Sequence, residues 1–225
     1  MTARLSIIVP VLDEAACITT ALEALAPLRA RGHEVIVVDG GSRDGTPALC
    51  AGMADAVLST APGRGGQANA GADAARGEVL LFLHADTALP PQAEQLVLAC
   101  VEQGALWGRF DVRIAGTSSM LPIIAAAMNL RSRWSGIATG DQAIFVTRTA
   151  LDEVGGVPDQ PLLEDVELSR RLLRLGRPAC LRARVVTSGR RWERHGVWST
   201  IALMWWLRLR YWFGASPEVL AKAYR

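Results

Sequence analysis

The fold of this chain is decided by VIVVDGGSRDGT at residues 35–46 and EVLLFLHADT at residues 78–87. Each apolar run is followed by an acidic residue, Asp39 in the first segment and Asp86 in the second. Continuous apolar runs are typical of buried parallel strands, and ligands bind at the carboxyl edge of such sheets. Because an unpaired carboxylate is costly to bury, we predict that Asp39 and Asp86 lie at neighbouring strand ends and receive a nucleotide and a divalent cation.

The composition limits the class of protein. The chain has 225 residues, of which 50% are hydrophobic and 20% charged, which is enough for one sizeable domain with a short appendage. The net charge of +2 is too small to indicate nucleic-acid binding. The four cysteines lack metal-binding or paired spacing, which indicates reduced thiols of a cytosolic protein; they are Cys17, Cys50, Cys100 and Cys180.

The two ends of the chain bear on its location. Residues 1–5 lead directly into a strand, so no signal peptide is expected, and no apolar run approaches the roughly 20 residues of a membrane span. Tryptophan and leucine dominate residues 197–213, interrupted by Arg208 and Arg210. We therefore predict a domain at 1–196 and an amphipathic helical tail at 197–225. The tail packs on the domain or lies at a membrane surface, so the expected location is cytoplasmic, with the inner face of the membrane left open.

Strands and helices alternate through the first half of the chain. Strands are predicted at 5–9, 35–38, 56–58 and 79–83, with amphipathic or alanine-rich helices between them. Such alternation indicates right-handed crossovers and an α/β fold with a doubly wound, mostly parallel sheet. Later strands are predicted at 107–114, 143–146 and 185–187, and an amphipathic helix at 164–175.

His84 and Asp86 form a candidate metal site. Residues two apart share one side of an extended segment, so the imidazole and the carboxylate can face one cation. Asp86 is the stronger candidate, because Mg²⁺ is usually held by one or two carboxylates and completed by phosphate oxygens. The alternative is that Asp86 caps a turn and His84 packs in the core.

The turn Gly63–Gly66 opens a helix and carries Arg64. Backbone amides at a helix start attract anions, and a guanidinium adds a strong contact to phosphate. The turn matches neither the dinucleotide-binding glycine pattern nor the P-loop. It is weak evidence for a phosphate site on its own.

Glu164 and Asp165 precede the amphipathic helix and follow a glycine- and proline-containing segment. A carboxylate here can be a helix cap worth about 1 kcal/mol. It can also be a general base that accepts the proton of an attacking hydroxyl. Both interpretations stay open on the residues alone.

Taken in order, these segments resemble the inverting family 2 glycosyltransferases of the GT-A fold over residues 5–175. The family's first strand is similar to LSIIVPVLDEA at 5–15. Its turn and metal segment is similar to GRGGQANAGADAARGEVLLFLHADT at 63–87, and its acceptor segment is similar to PLLEDVELSRRL at 161–172. The resemblance implies that Asp165 is the base, with His84 and Asp86 at the metal. It implies a nucleotide site at Pro10, Glu14, Asp39, Arg64, Asn69 and Asp86.

The chain departs from the family pattern at two places. His84 replaces the first aspartate of the usual DxD, which leaves Mn²⁺ and Mg²⁺ both open. The QxxRW signature of processive synthases is absent and SGRRWERHG stands at 188–196, which indicates a single transfer. The chain also resembles a small bacterial selenodomain- or arsenosugar-associated subfamily at three segments, which are HADT, TGDQAIFV and TSGRRWERHG. The acceptor wall is predicted at Asp141, Gln142, Glu164, Arg191 and Trp192.

The resemblance implies a non-processive, metal-assisted, inverting transfer from a nucleotide sugar, with a UDP-linked donor favoured. The acceptor is a hydroxyl or carboxyl group of a small or lipid-linked molecule, and a homodimer is left open. One alternative is a nucleotidyltransferase, which is disfavoured because VPVLDEA at 9–15 stands where that class carries a glycine-rich loop. Another is a non-catalytic nucleotide-sugar-binding module.

Overall fold

A computed structural model describes residues 4–224 of the chain. Within that range the strands form one mixed sheet of eight strands. In chain order they are β1 (Leu5–Val11), β2 (Glu34–Asp39), β3 (Ala56–Ser59), β4 (Val79–Phe82), β5 (Thr87–Ala88), β6 (Trp107–Ala115), β7 (Phe145–Thr147) and β8 (Ala179–Ser188).

Ten α-helices surround this sheet in the described range, and a 3-10 turn at Gly140–Gln142 precedes β7. The helices are α1 (Ile18–Ala30), α2 (Thr46–Cys50), α3 (Arg64–Ala74), α4 (Ala93–Glu102), α5 (Leu121–Ser135), α6 (Arg148–Glu153), α7 (Glu164–Leu172), α8 (Arg190–His195), α9 (Val197–Trp212) and α10 (Pro217–Tyr224).

The strand order is β3-β2-β1-β4-β7-β6-β8-β5. The pairs β1–β2, β1–β4, β2–β3 and β6–β8 are parallel, whereas β4–β7, β6–β7 and β5–β8 are antiparallel. The predicted α/β class with a mostly parallel sheet is confirmed. The expectation that Asp39 and Asp86 follow neighbouring strands is wrong, because β1 lies between β2 and β4.

Helices cover both faces of the sheet, as expected for a doubly wound fold. Successive side chains of a strand point to opposite faces, so Ile7 joins one apolar cluster and Ile8 the other. The first cluster includes residues of α1, α4 and α5. The second includes residues of α3, α6 and α7. The carboxyl ends of β1, β2 and β4 are thus held between two packed layers.

Some predicted boundaries shift. Pro10 does not end the first strand, since β1 continues to Val11 and pairs with β2. Proline is tolerated there because β4 pairs with β1 only as far as Ile8, so Pro10 has no partner on that side. The first helix begins only at Ile18, seven residues after β1 ends, and no side chain of the described range caps it. The last strand is much longer than predicted, at ten residues.

The helices after β8 pack along one edge of the domain. Leu207 of α9 and Leu220 of α10 bury against Leu162 in a small third cluster. The hydroxyl of Tyr211 donates to Glu167 Oε2 of α7 at 3.2 Å. Among the helices of the described range, none is both long enough and apolar enough to cross a bilayer. The division at residues 196 and 197 stays a prediction.

Candidate active site

Asp39 ends β2 and is buried. Its carboxylate accepts hydrogen bonds from the backbone amides of Gly41 and Ser42 at 3.0–3.2 Å. These bonds fold the following turn back over the end of β2. Asp39 therefore shapes the carboxyl edge of the sheet, and contact with a base stays a prediction.

Glu14 and Asp86 converge on one cationic group. Arg190 Nη2 lies 3.2 Å from Glu14 Oε2 and 3.4 Å from Asp86 Oδ2. Glu14 lies just beyond the end of β1, Asp86 in the loop before β5, and Arg190 at the start of α8. Elements far apart in sequence thus place two carboxylates around a single positive charge.

A cavity of about 1000 Å³ adjoins this ion-pair cluster between α1, β5 and α4. Ala21, Leu25 and Leu89 give it apolar walls, and Asp86 and Arg190 also line it. A cavity of this size accommodates an organic ligand. The ion-pair cluster therefore borders open space rather than the packed core.

His84 points toward the 3-10 turn. Its Nδ1 lies 3.5 Å from Asp141 Oδ1, and its ring packs so closely on Gly140 that a side chain at position 140 would overlap it. The bond from His84 holds the pKa of Asp141 below its ordinary value against the opposing effect of burial, with help from the charges of Arg64 and Arg208. His84 and Asp86 thus contact different charged partners, Asp141 and Arg190.

Arg64, His84, Glu164 and Asp165 meet in a second pocket of about 50 Å³, which Pro10 also lines. Together with Pro10, they come from four separate segments of the chain, each of which was predicted to contribute to the site. Burial and the adjacent Asp165 charge raise the pKa of Glu164. Desolvation lowers the pKa of Arg64, but the nearby carboxylates of Glu164, Asp141 and Asp165 outweigh this effect, so that the pKa is raised overall.

Asp165 is oriented by backbone amides. Its Oδ2 accepts from Gly140 N at 2.8 Å, and its Oδ1 accepts from Val166 N at 2.7 Å. It does not cap α7, because the cap position is Leu163, which adopts a left-handed conformation. Each carboxylate oxygen has two lone pairs, so Asp165 retains capacity to accept a proton from a ligand.

Two predicted site residues use their side-chain amides within the protein. Asn69 exchanges hydrogen bonds of 2.8 Å with both backbone groups of Val157. Gln142 is fully buried and contacts Thr139 N and Asn129 Oδ1. Asn69 thus ties α3 to the loop before α7, and Gln142 supports the 3-10 turn from behind.

Arg191 and Trp192 lie on α8 beside Arg190. The Arg191 guanidinium stacks 3.8 Å from the centroid of the Tyr224 ring, and Trp192 packs against the main apolar cluster. Arg191 thereby joins α8 to α10. Contact of either side chain with an acceptor stays a prediction.

Three arginines near the site were not predicted to act there. They are Arg190 at Glu14 and Asp86, and Arg131 and Arg208, which lie within electrostatic range of Asp165. In the sequence, Arg208 appears only as an interruption of the apolar tail. At the RR dipeptide 190–191, only Arg191 was predicted as a site residue.

The residues at Asp86 fit a divalent cation that substrate completes. Among residues 4–224, no three His, Cys, Asp or Glu side chains gather as a metal site. Glu14 and Asp86 nevertheless contact the same guanidinium nitrogen, so two hard oxygen ligands already surround one cationic position. Mg²⁺ sites commonly use one or two carboxylates together with substrate phosphates. Asp86, with Glu14 nearby, is therefore a suitable ligand set for Mn²⁺ or Mg²⁺.

Comparison with protein families identifies the class. The model of Glycosyl transferase family 2 matches residues 6–155, more than half of the chain. The chain belongs to this family, as the motif order predicted. No curated protein matches the chain significantly.

Solved structures share the fold. S. aureus TarS 1-349 aligns with a TM-score of 0.67 at 20% identity, over 83% of this chain and 60% of that one. The mannosyltransferase PcManGT from Pyrobaculum calidifontis, solved with GDP-Man and Mn²⁺, aligns with a TM-score of 0.63 at 20% identity, over 83% of this chain and 57% of that one. Glucosyl-3-phosphoglycerate synthase from Mycobacterium tuberculosis, solved with Mn²⁺, UDP and glucosyl-3-phosphoglycerate, aligns with a TM-score of 0.60 at 20% identity, over 82% of this chain and 71% of that one. The chain thus spans about 60% of the length of TarS 1-349.

Proposed function

We propose that this protein is a non-processive, inverting glycosyltransferase that moves a sugar from a nucleoside diphosphate, with UDP favoured, to a hydroxyl or carboxyl acceptor. The observation that carries the proposal is the pocket shared by Arg64, His84, Glu164 and Asp165. Family membership is the second support. The fold relatives solved with UDP-GlcNAc, GDP-Man or UDP add support for a nucleotide-sugar donor.

The donor side of the proposed reaction requires charge compensation at the diphosphate. Arg64 lies at the start of α3, where backbone amides add to its charge. The Arg190 side chain is half exposed, and within residues 4–224 its guanidinium contacts the carboxylates of Glu14 and Asp86 and, weakly, the Cys17 sulfur, so it can turn toward phosphate oxygens. When bound at Asp86, Mn²⁺ or Mg²⁺ supplies further stabilisation of the leaving diphosphate.

The acceptor side requires a base. Asp165 is held by two amides and accepts the proton as the acceptor oxygen attacks the anomeric carbon. The bond to the diphosphate breaks on the opposite face of the sugar, so the configuration inverts. Glu164 is less suited to carry a negative charge, because burial and Asp165 raise its pKa.

A screen of UDP-, GDP- and other nucleotide sugars tests the proposal. We expect one nucleotide class to raise the melting temperature in the presence of Mn²⁺, because ligand that binds only the folded state stabilises it. Slow Mn²⁺-dependent release of free sugar should accompany it. Binding without any turnover would indicate a non-catalytic module, and release of pyrophosphate from a nucleoside triphosphate would indicate a nucleotidyltransferase.

We also propose a peripheral membrane contact through α9. Trp198, Trp205 and Trp212 are spaced by seven residues and therefore share one helix face, and their side chains are 72%, 70% and 80% exposed. Arg210 lies on the same helix, with its guanidinium near the ring of Trp206. Exposed tryptophan beside arginine suits the interface of an anionic bilayer. The opposite edge of α9 packs on the domain through Leu207.

Flotation with vesicles of phosphatidylglycerol and phosphatidylcholine tests this contact. The wild-type protein should float at low salt, whereas a triple Trp198, Trp205 and Trp212→Ala variant should stay at the bottom. Ile123 of α5 is also exposed, so Ile123→Ala is a suitable control. Equal flotation of the triple variant would contradict the proposal.

A further inference from the structure

Arg131 and Arg208 carry unused hydrogen-bond donors beside the proposed base. Nε and Nη2 of Arg131 and Nε of Arg208 are buried, and none of these atoms has a hydrogen-bond partner within the described part of the chain. A buried donor without an acceptor costs about 1–3 kcal/mol, and more when the group is charged. Two such groups in one place indicate that their acceptor is a ligand.

The fold brings these two arginines together from distant helices. Arg131 lies on α5, and Arg208 follows Leu207, the residue that anchors α9 against Leu162. Tyr211, one turn later, bonds to Glu167 of α7. α9 is thus fixed to the segment that carries Asp165, and the position of Arg208 depends on that packing.

The electrostatic environment supports a common anion. Burial and the charge of Arg208 together lower the pKa of Arg131 to about 10, although the charge of Asp165 acts in the opposite direction. Burial also lowers the pKa of Arg208, against the attraction of Asp165 and Asp141. In contrast, the neighbouring carboxylates raise the pKa of Arg64. The acidic residues of the protein therefore balance the positive charge of Arg64. They do not fully balance the positive charges of Arg131 and Arg208.

We propose that Arg131 and Arg208 bind an anionic group, a carboxylate or a phosphate, on the acceptor next to Asp165. This inference rests on the proposed function and narrows the acceptor to negatively charged molecules. Guanidinium groups present a planar fork that matches both anions. The anion would orient the acceptor so that its nucleophilic oxygen faces the carboxylate of Asp165.

Titrations with inorganic phosphate and with acetate test the anion site. They are made in saturating UDP and Mn²⁺, so that the nucleotide fills the donor side and the added anion reports on the remaining site. The variants are Arg131→Gln, Arg208→Gln and the double variant. Arg210→Gln is the matched control, because Arg210 lies on the same helix but is exposed near Trp206.

We expect wild type and Arg210→Gln to bind phosphate with equal affinity. Arg131→Gln and Arg208→Gln should each bind it at least about 10-fold more weakly, in line with the loss of one charged hydrogen bond. The double variant should bind no phosphate. The relative affinity of phosphate and acetate identifies which anion the site prefers. Unchanged phosphate affinity in the double variant would overturn the proposal. If the double variant loses UDP binding through misfolding, the two single variants decide.

Two further measurements separate the possible failures. If wild type binds none of the nucleotides in the screen, the proposed function fails, while phosphate titrations without nucleotide still compare wild type with the double variant. If the double variant loses affinity for UDP-glucuronate but not for UDP-glucose, the anion belongs to the donated sugar and the acceptor assignment is wrong. Equal affinity of the double variant and wild type for both donors supports the acceptor assignment.

Discussion

The first four strands and the helices after β8 contribute to the site in different ways. Asp39 ends a fully buried strand, and amides of its own turn fix its carboxylate. Arg190 and Arg208 instead reach the site as long side chains from α8 and α9. The main chain thus determines where Asp39 lies, whereas the two arginines depend on side-chain conformation and on how the tail packs.

The two regions also differ in how much apolar surface holds them. β1, β2 and β4 lie between two large apolar clusters. The tail is held mainly by the small cluster of Leu162, Leu207 and Leu220. Regions with few buried contacts open at lower free energy than the global unfolding of the protein. We therefore expect the tail to open while the sheet stays folded.

Asp165, at the start of α7, is where the two regions meet, and its loss should have the largest effect. Asp165→Asn should reduce transfer by about 10²–10⁴-fold, the usual contribution of a positioned base, with UDP affinity unchanged. Single-turnover transfer assays and calorimetry provide the measurements. Glu164→Gln is the matched control and should retain most activity; the reverse ranking would assign the base to Glu164.

Asp86→Asn tests the contribution of the first region, that of β1–β4, to the site. We expect at least about a 10-fold loss of Mn²⁺-dependent UDP affinity, because a neutral amide is a poorer ligand for a hard cation. Calorimetry with and without Mn²⁺ measures it, with the exposed Asp73→Asn on α3 as control. His84→Ala should change the ratio of Mn²⁺ to Mg²⁺ activity, and an unchanged ratio would limit His84 to packing.

Stability measurements compare the regions directly. Leu22→Ala in α1 and Leu207→Ala in α9 both remove fully buried side chains, for which about 2–5 kcal/mol is typical. Leu22→Ala should lower the global free energy of unfolding. Leu207→Ala should instead increase hydrogen exchange in α9 and α10 while β1 and β2 stay protected. Uniform loss of protection in both variants would show that tail and sheet unfold together.

In the absence of nucleotide, Arg190→Ala should have the smallest effect of these variants. Its ion pairs are half exposed on the arginine side, and such pairs contribute only about 0–1 kcal/mol. Without nucleotide, removal of this competing charge should raise Mn²⁺ affinity by up to about 5-fold, the equivalent of that free energy. Mn²⁺ relaxation measurements test this, with exposed Arg113→Ala as control. Weaker Mn²⁺ binding would show that Arg190 orients the carboxylates.

The sequence predicted the first half of the fold well because β1, β2 and β4 are buried on both faces and appear as continuous apolar runs. β8 was largely missed because exposed Arg182 and Arg184 interrupt its pattern. The order of the strands in the sheet could not be predicted from local sequence patterns. β1 lies between β2 and β4, although it precedes both in sequence.

Within the candidate site, acidic residues were easier to select than basic ones. Asp86 and Asp165 stand at recognisable changes of pattern, the first in the loop after the apolar run of β4 and the second in the first turn of α7. Arginine is frequent throughout the chain, so Arg131 and Arg208 carry no local sign that their donors are buried. In the structure they are distinguished by buried donors without a partner in the described range and by their electrostatic interaction with Asp165.

The pairing of β5 with β8 has a consequence for the order of folding. Thr87, directly after Asp86, bonds through its hydroxyl to Thr187 at 3.0 Å, and the two residues are 100 positions apart. β8 also lies between β6 and β5, so it must insert before β5 joins the sheet. Contacts of such long range form slowly because closing the loop costs entropy. During synthesis, β1–β4 can therefore assemble early, while the Asp86 loop gains its final support only after β8 has left the ribosome.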